Sequence, residues 1–70
     1  MNRIYTAVIK QTDRWWIGWI EEVPGVNCQE VTREELLESL SATLQEAIEF
    51  NRHEALEAAG DSFEETQVAV

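Results

Sequence analysis

Seventy residues with fourteen acidic side chains against five basic ones carry a net charge of −9, and that length holds one domain, residues 1–70, near the lower limit for a core that folds alone. The only cysteine, Cys28, excludes an internal disulfide and a thiolate zinc site, and no stretch approaches the ~18 apolar residues of a membrane span. Arg3, Lys10, Arg14, Arg33 and Arg52 are scattered, so nucleic-acid binding by this chain alone is not expected, because phosphates need cations gathered on one surface.

The start, Met1-Asn2-Arg3-Ile4, does not read as a secretory signal, and the expected compartment is the cytoplasm. Residues 4–10 form a first predicted strand, with Tyr5, Ala7 and Ile9 on one face and Ile4, Thr6 and Val8 on the other. Gln11-Thr12-Asp13 is read as the turn, and residues 14–20 return as the second strand of a hairpin. This strand holds all three tryptophans. Alternation sends Trp15, Ile17 and Trp19 to one face and Trp16, Gly18 and Ile20 to the other. Both faces are therefore apolar, and one helix can cover only one of them. Pro24-Gly25 then turns the chain, and residues 26–31 read as a third, more polar strand suited to an edge.

Thr32 and Glu35 have the spacing of a capping box, and Glu34 and Glu35 suit the positive end of a helix dipole. Helical spacing follows over residues 33–59, placing Leu36, Leu37, Leu40, Leu44, Ala47, Ile48, Ala55, Ala58 and Ala59 on one side, and Gly60 is a natural stop. Such a helix is about 40 Å long at ~1.5 Å per residue, whereas strands of this size reach only about 20–24 Å. Its last turns should overhang the sheet or bend near Asn51, carrying Phe50 and Leu56 toward a partner or into a frayed tail. Residues 63–70 read as a short fourth strand, returning parallel to an earlier one by a right-handed crossover. The expected fold class is α+β in the order β-β-β-α-β, with one long helix on a mostly antiparallel sheet.

That order begins the ribonuclease-H-like fold, so two-metal nuclease chemistry has to be weighed. It needs carboxylates converging from the first strand, the helix and the fourth strand, yet the first strand contains no acid. Cys28 and His53 are the sole residues of their types and lie on different elements, where a small buried hydrophobe and a solvated side chain are the simpler readings. Gly18, Gly25 and Gly60 are isolated and form no phosphate loop. The expectation is no catalytic residue, no metal, no cofactor and no small-molecule substrate. Core packing under the helix accounts for Trp16. Burial between proteins accounts better for the remaining tryptophans than base stacking does, given the missing cations.

Taken in order, Tyr5, Trp16-Ile17-Gly18-Trp19-Ile20, Val23-Pro24-Gly25-Val26, Thr32-Arg33-Glu34-Glu35-Leu36-Leu37-Glu38 and Glu46-Ala47-Ile48-Glu49 resemble the HicB antitoxin family over nearly the whole chain. Val26 stands where that family often has Cys, Glu30 where Gly is usual, and Leu36 where Ala is frequent. Many HicB antitoxins carry a second, DNA-binding domain, and the sequence to Val70 contains none, so operator binding is not expected of it. The resemblance implies a partial ribonuclease-H-like fold without catalysis. It also implies a partner, a small basic messenger-RNA-cleaving toxin of the HicA type, masked by occlusion, and a homo-oligomer, dimer or tetramer. An acidic chain can be acidic merely to stay soluble, or can match a basic partner electrostatically. On the second reading Glu21, Glu22, Glu30, Glu38, Glu46 and Glu49 are the candidate partner-binding acids, and Trp15, Ile17, Trp19, Phe50 and Leu56 the candidate oligomer contacts. The competing reading is a homo-oligomeric interaction module with no toxin.

Overall fold

The computed structural model describes residues 4–70. Strands β1 (Ala7–Thr12), β2 (Trp15–Ile20) and β3 (Asn27–Glu30) form an antiparallel sheet in the order β1-β2-β3, and helix α1 (Arg33–Ala59) follows. The architecture is therefore α+β, one long helix laid on a three-stranded antiparallel sheet.

Register follows from the hairpin. Thr12 pairs with Trp15, so Asp13-Arg14 is the turn, one step later than the polar run Gln11-Thr12-Asp13 suggested. Asp13 adopts φ 53, a left-handed conformation that a short polar side chain tolerates. The ladder keeps Gln11 and Thr12 because an exposed strand end accepts polar side chains. At its other end β1 begins at Ala7 rather than Ile4, although Thr6 still runs beside the sheet: its carbonyl accepts from Glu21 N–H at 2.9 Å. β3 is likewise shorter than residues 26–31, yet Val26 continues the pairing by accepting from Ile20 N–H at 3.1 Å.

Alternation along β2 is as the sequence implies. Gly18 and Ile20 are buried and Trp16 half-buried on the helix side, while Trp15 and Trp19 stay exposed on the opposite face. Ile20, Val26, Leu36 and Leu40 make the buried core, with Tyr5, Ala7, Ile9, Trp16, Val23, Cys28, Leu44 and Ala47 packed around it. A core this small leaves little margin for independent stability.

Helix α1 starts where the capping signal lies. The Thr32 hydroxyl oxygen accepts from Glu35 N–H at 3.1 Å, and the hydroxyl donates to the Glu35 carboxylate at 2.9 Å. Gly60, at φ 81, ends the helix and donates its N–H to Leu56 and Glu57 carbonyls. The helix runs antiparallel to β3, as two contacts fix. Ser39 Oγ donates to Glu30 at 2.6 Å, and Thr43 Oγ1 meets Cys28 Sγ at 3.5 Å, two residues back along the strand. It packs over β3 and β2. There is no break near Asn51, so the chain resolves the length mismatch by overhang. Beyond Ile48 every helical residue except Leu56 is exposed, including Ala55, Ala58 and Ala59, which have no sheet to face.

Among the described residues there is no fourth strand: residues 63–70 are exposed and unpaired, which corrects the expected β-β-β-α-β order to β-β-β-α. The overhang explains this, because α1 carries the chain past the end of the sheet before the tail begins.

Gly18 sets the helix-to-sheet distance. A Cβ there would lie 2.9 Å from both Ile9 Cγ2 and the Val8 carbonyl oxygen, and 3.2 Å from Leu36 Cδ2. Replacing a strand glycine by alanine gains roughly 0.5–1 kcal/mol in backbone entropy. Overpacking against a backbone oxygen that cannot swing away costs about 1–3 kcal/mol and wins. Gly18→Ala should therefore lower the midpoint of urea unfolding, and Leu40→Ala should lower it further, by about 2–5 kcal/mol of lost stability. An unchanged midpoint for Gly18→Ala would show that the helix does not seat on this glycine.

Candidate protein-binding surface

The sheet face turned away from α1 is built from rows fixed by register. Val8, Trp19 and Asn27 form one row, Lys10, Ile17 and Gln29 the next, and Thr12 pairs with Trp15 at the end. Ile17 is half-buried between two tryptophans that stand about 13 Å apart along the strand at ~3.3 Å per residue. Trp15 is 38% and Trp19 41% exposed, which leaves large rigid side chains in water beside an apolar centre. Such side chains carry much contact area with few rotamers to freeze, so this face is suited to binding protein.

Glu21 and Glu22 lie in the turn where β2 runs off this face, and both are exposed. Glu22 is anchored: its Oε1 accepts from Thr6 N–H at 2.8 Å. Hydrogen bonding from Thr6, its backbone N–H first and its side chain second, holds the Glu22 carboxyl below the usual glutamate range, against a smaller opposing effect of desolvation. The carboxylate thus closes the open end of the hairpin as well as adding charge.

The structure separates the other candidate acids. Glu38, Glu46 and Glu49 are exposed along α1, and Glu46 shares a shallow groove with Pro24, Gly25 and Phe50. Glu30 is half-buried on the helix side and accepts from Ser39 Oγ at 2.6 Å, a bond that ties β3 to α1. Among the candidate oligomer contacts Phe50 is 63% exposed on the overhang, whereas Leu56, expected to project outward, is half-buried. His53 lies 3.5 Å from Glu57, an exposed pair one helical turn apart. Among the described residues no group of His, Cys, Asp and Glu gathers to hold a metal ion, and no helix is long and apolar enough to cross a membrane.

A second surface was not singled out from the sequence. Between β1 and α1 runs a groove lined by Tyr5, Ala7, Leu37, Leu44, Ile48 and Arg52. Helical spacing assigned Leu37, Leu44 and Ile48 to the core stripe, but only Leu36 and Leu40 are buried. The signal was present in the sequence: the apolar stripe is wider than three strands can cover. Compared with known proteins, the chain matches no family model, and no curated protein or solved structure matches it.

The Glu22 bond has a pH signature. Its carboxyl is depressed in the folded state, so its contribution is complete above the ordinary glutamate value and is lost as pH falls through the lowered one. Hydrogen exchange at the Thr6 amide should accelerate, relative to its intrinsic rate, across that acid window. Glu22→Gln should weaken protection already at neutral pH, whereas equal protection in both proteins would mean that the bond does not hold the strand end.

Proposed function

We propose that this chain is a protein-binding antitoxin of the HicB type, with a partial ribonuclease-H-like fold used for occlusion rather than catalysis. The reading rests on one observation above all, a face with two exposed tryptophans around Ile17 on a chain of net charge −9. A small basic RNA-cleaving protein of the HicA type is the partner that this combination suits. Its apolar rim settles on Trp15, Ile17 and Trp19, and Glu21 and Glu22 meet its cations where RNA phosphates would otherwise sit. Glu38, Glu46 and Glu49 on α1 act at longer range, raising the encounter rate through the field of the whole chain. Inhibition follows from coverage, since a toxin surface occupied by this face cannot take up RNA.

The two roles separate kinetically. Trp15→Ala and Trp19→Ala should each weaken binding to a co-expressed HicA-type toxin about 10- to 30-fold, chiefly through faster dissociation. Glu46→Lys combined with Glu49→Lys should slow association and flatten its salt dependence while leaving the circular dichroism spectrum unchanged. Toxin binding unaffected by both tryptophan changes would remove the sheet face from the interface. A chain that neither binds such a protein nor rescues growth arrest would end the antitoxin reading.

A further inference from the structure

Lys10 is the only charged side chain in the paired rows of the sheet face opposite α1. Those rows hold Val8, Trp19 and Asn27, then Lys10, Ile17 and Gln29, then Thr12 and Trp15. Lys10 pairs directly with Ile17, the half-buried centre of the face, and its diagonal neighbours on β2 are Trp15 and Trp19. Such diagonals are about 7–8 Å apart, within reach of a long side chain. Lys10 is exposed and forms no ion pair among the described residues. The turn beside Trp15, Asp13-Arg14, adds one charge of each sign. A single cation is thus set inside the candidate interface.

Covering the tryptophans covers this lysine as well. A protein that settles on Trp15, Ile17 and Trp19 takes water away from the Lys10 ammonium, which has three donors and no acceptor. A desolvated cation that meets only apolar or basic groups destabilises the complex. The docked surface therefore has to bring an acceptor to that spot, and a carboxylate both bonds the ammonium and neutralises it. The opposite sign holds at the end of the face. Glu21 N–H bonds the Thr6 carbonyl, which puts Glu21 one row beyond Trp19, and Glu22 beside it is held by Thr6 N–H. From Thr6 to Lys10 the strand covers about 13 Å at ~3.3 Å per residue. The face presents a cation at its centre and two carboxylates at one end, although the whole chain is strongly acidic.

We propose that Lys10 is a specificity-determining residue of this face, receiving a carboxylate of the docked protein between Trp15 and Trp19 while Glu21 and Glu22 receive its cations. The inference rests on the antitoxin reading and adds a requirement on the partner. Its binding patch holds an acidic side chain about 13 Å from the cations that meet Glu21 and Glu22. A uniformly cationic surface is rejected, because it sets like charge against Lys10. General attraction between an acidic chain and a basic one gives no such discrimination.

Charge reversal separates the two effects because they have opposite signs. Lys10→Glu and Arg52→Glu each make the chain two charges more negative, the first inside the face and the second exposed on α1. Binding to a co-expressed HicA-type toxin, followed by surface plasmon resonance, should weaken about tenfold for Lys10→Glu and should hold or tighten for Arg52→Glu. Lys10→Gln, which removes the charge without reversing it, should weaken binding about threefold. Changing the toxin's acidic residues to lysine one at a time should restore binding to Lys10→Glu at one position. Unchanged or tighter binding by Lys10→Glu would overturn the proposal, since the side chain would then reach past the interface into water. Weakening that Arg52→Glu matches, or that no toxin change restores, would overturn it too. A parent chain that binds no such toxin would instead end the antitoxin reading, and this proposal with it.

Discussion

At Gly18 the missing side chain lets Leu36 come down onto the middle of β2, and most of the molecule's organisation follows from that approach. Helix α1 covers β2 and β3 and leaves β1 beside an open groove. It also covers only one side of the sheet. The face bearing Trp15, Ile17 and Trp19 is left to water because one helix cannot serve two apolar surfaces. The tryptophan face and the groove beside β1 are both left open in a chain that lays a single helix on its sheet.

Much of this was legible beforehand, and for identifiable reasons. Period-two alternation through Trp15–Ile20 gives the two faces directly, because a buried partner fixes which residues point inward. Thr32, Glu35 and Gly60 bound the helix through local hydrogen bonds that need no tertiary information. The overhang follows from comparing helix rise with strand length.

What was not legible depends on contacts between elements. The hairpin turn lies at Asp13-Arg14 because cross-strand pairing of Thr12 with Trp15 outweighs the polar character of Gln11 and Thr12. Glu30 reads as a free acid until Ser39 is brought against it across the helix–sheet boundary. Leu37, Leu44 and Ile48 satisfy helical periodicity but lie toward β1, where no strand covers them. The valine pattern near Val70 reads as a strand, yet residues 63–70 pair with nothing among the described residues, because a strand pattern alone supplies no partner. The acids divide in the same way: Glu22 has a structural bond to Thr6, whereas Glu38 and Glu49 are known only by exposure.

The central claim, that the sheet face opposite α1 is a surface for another protein, is tested most directly by acrylamide quenching of tryptophan emission. In the isolated chain Trp15 and Trp19 should be quenched readily, while Trp16 under the helix contributes a protected fraction. On adding a basic HicA-type protein, quenching should fall and the emission should shift to the blue, and a Trp16→Phe variant should show the same change. A tight complex in which quenching of Trp15 and Trp19 stays as it was in the free chain would contradict the account.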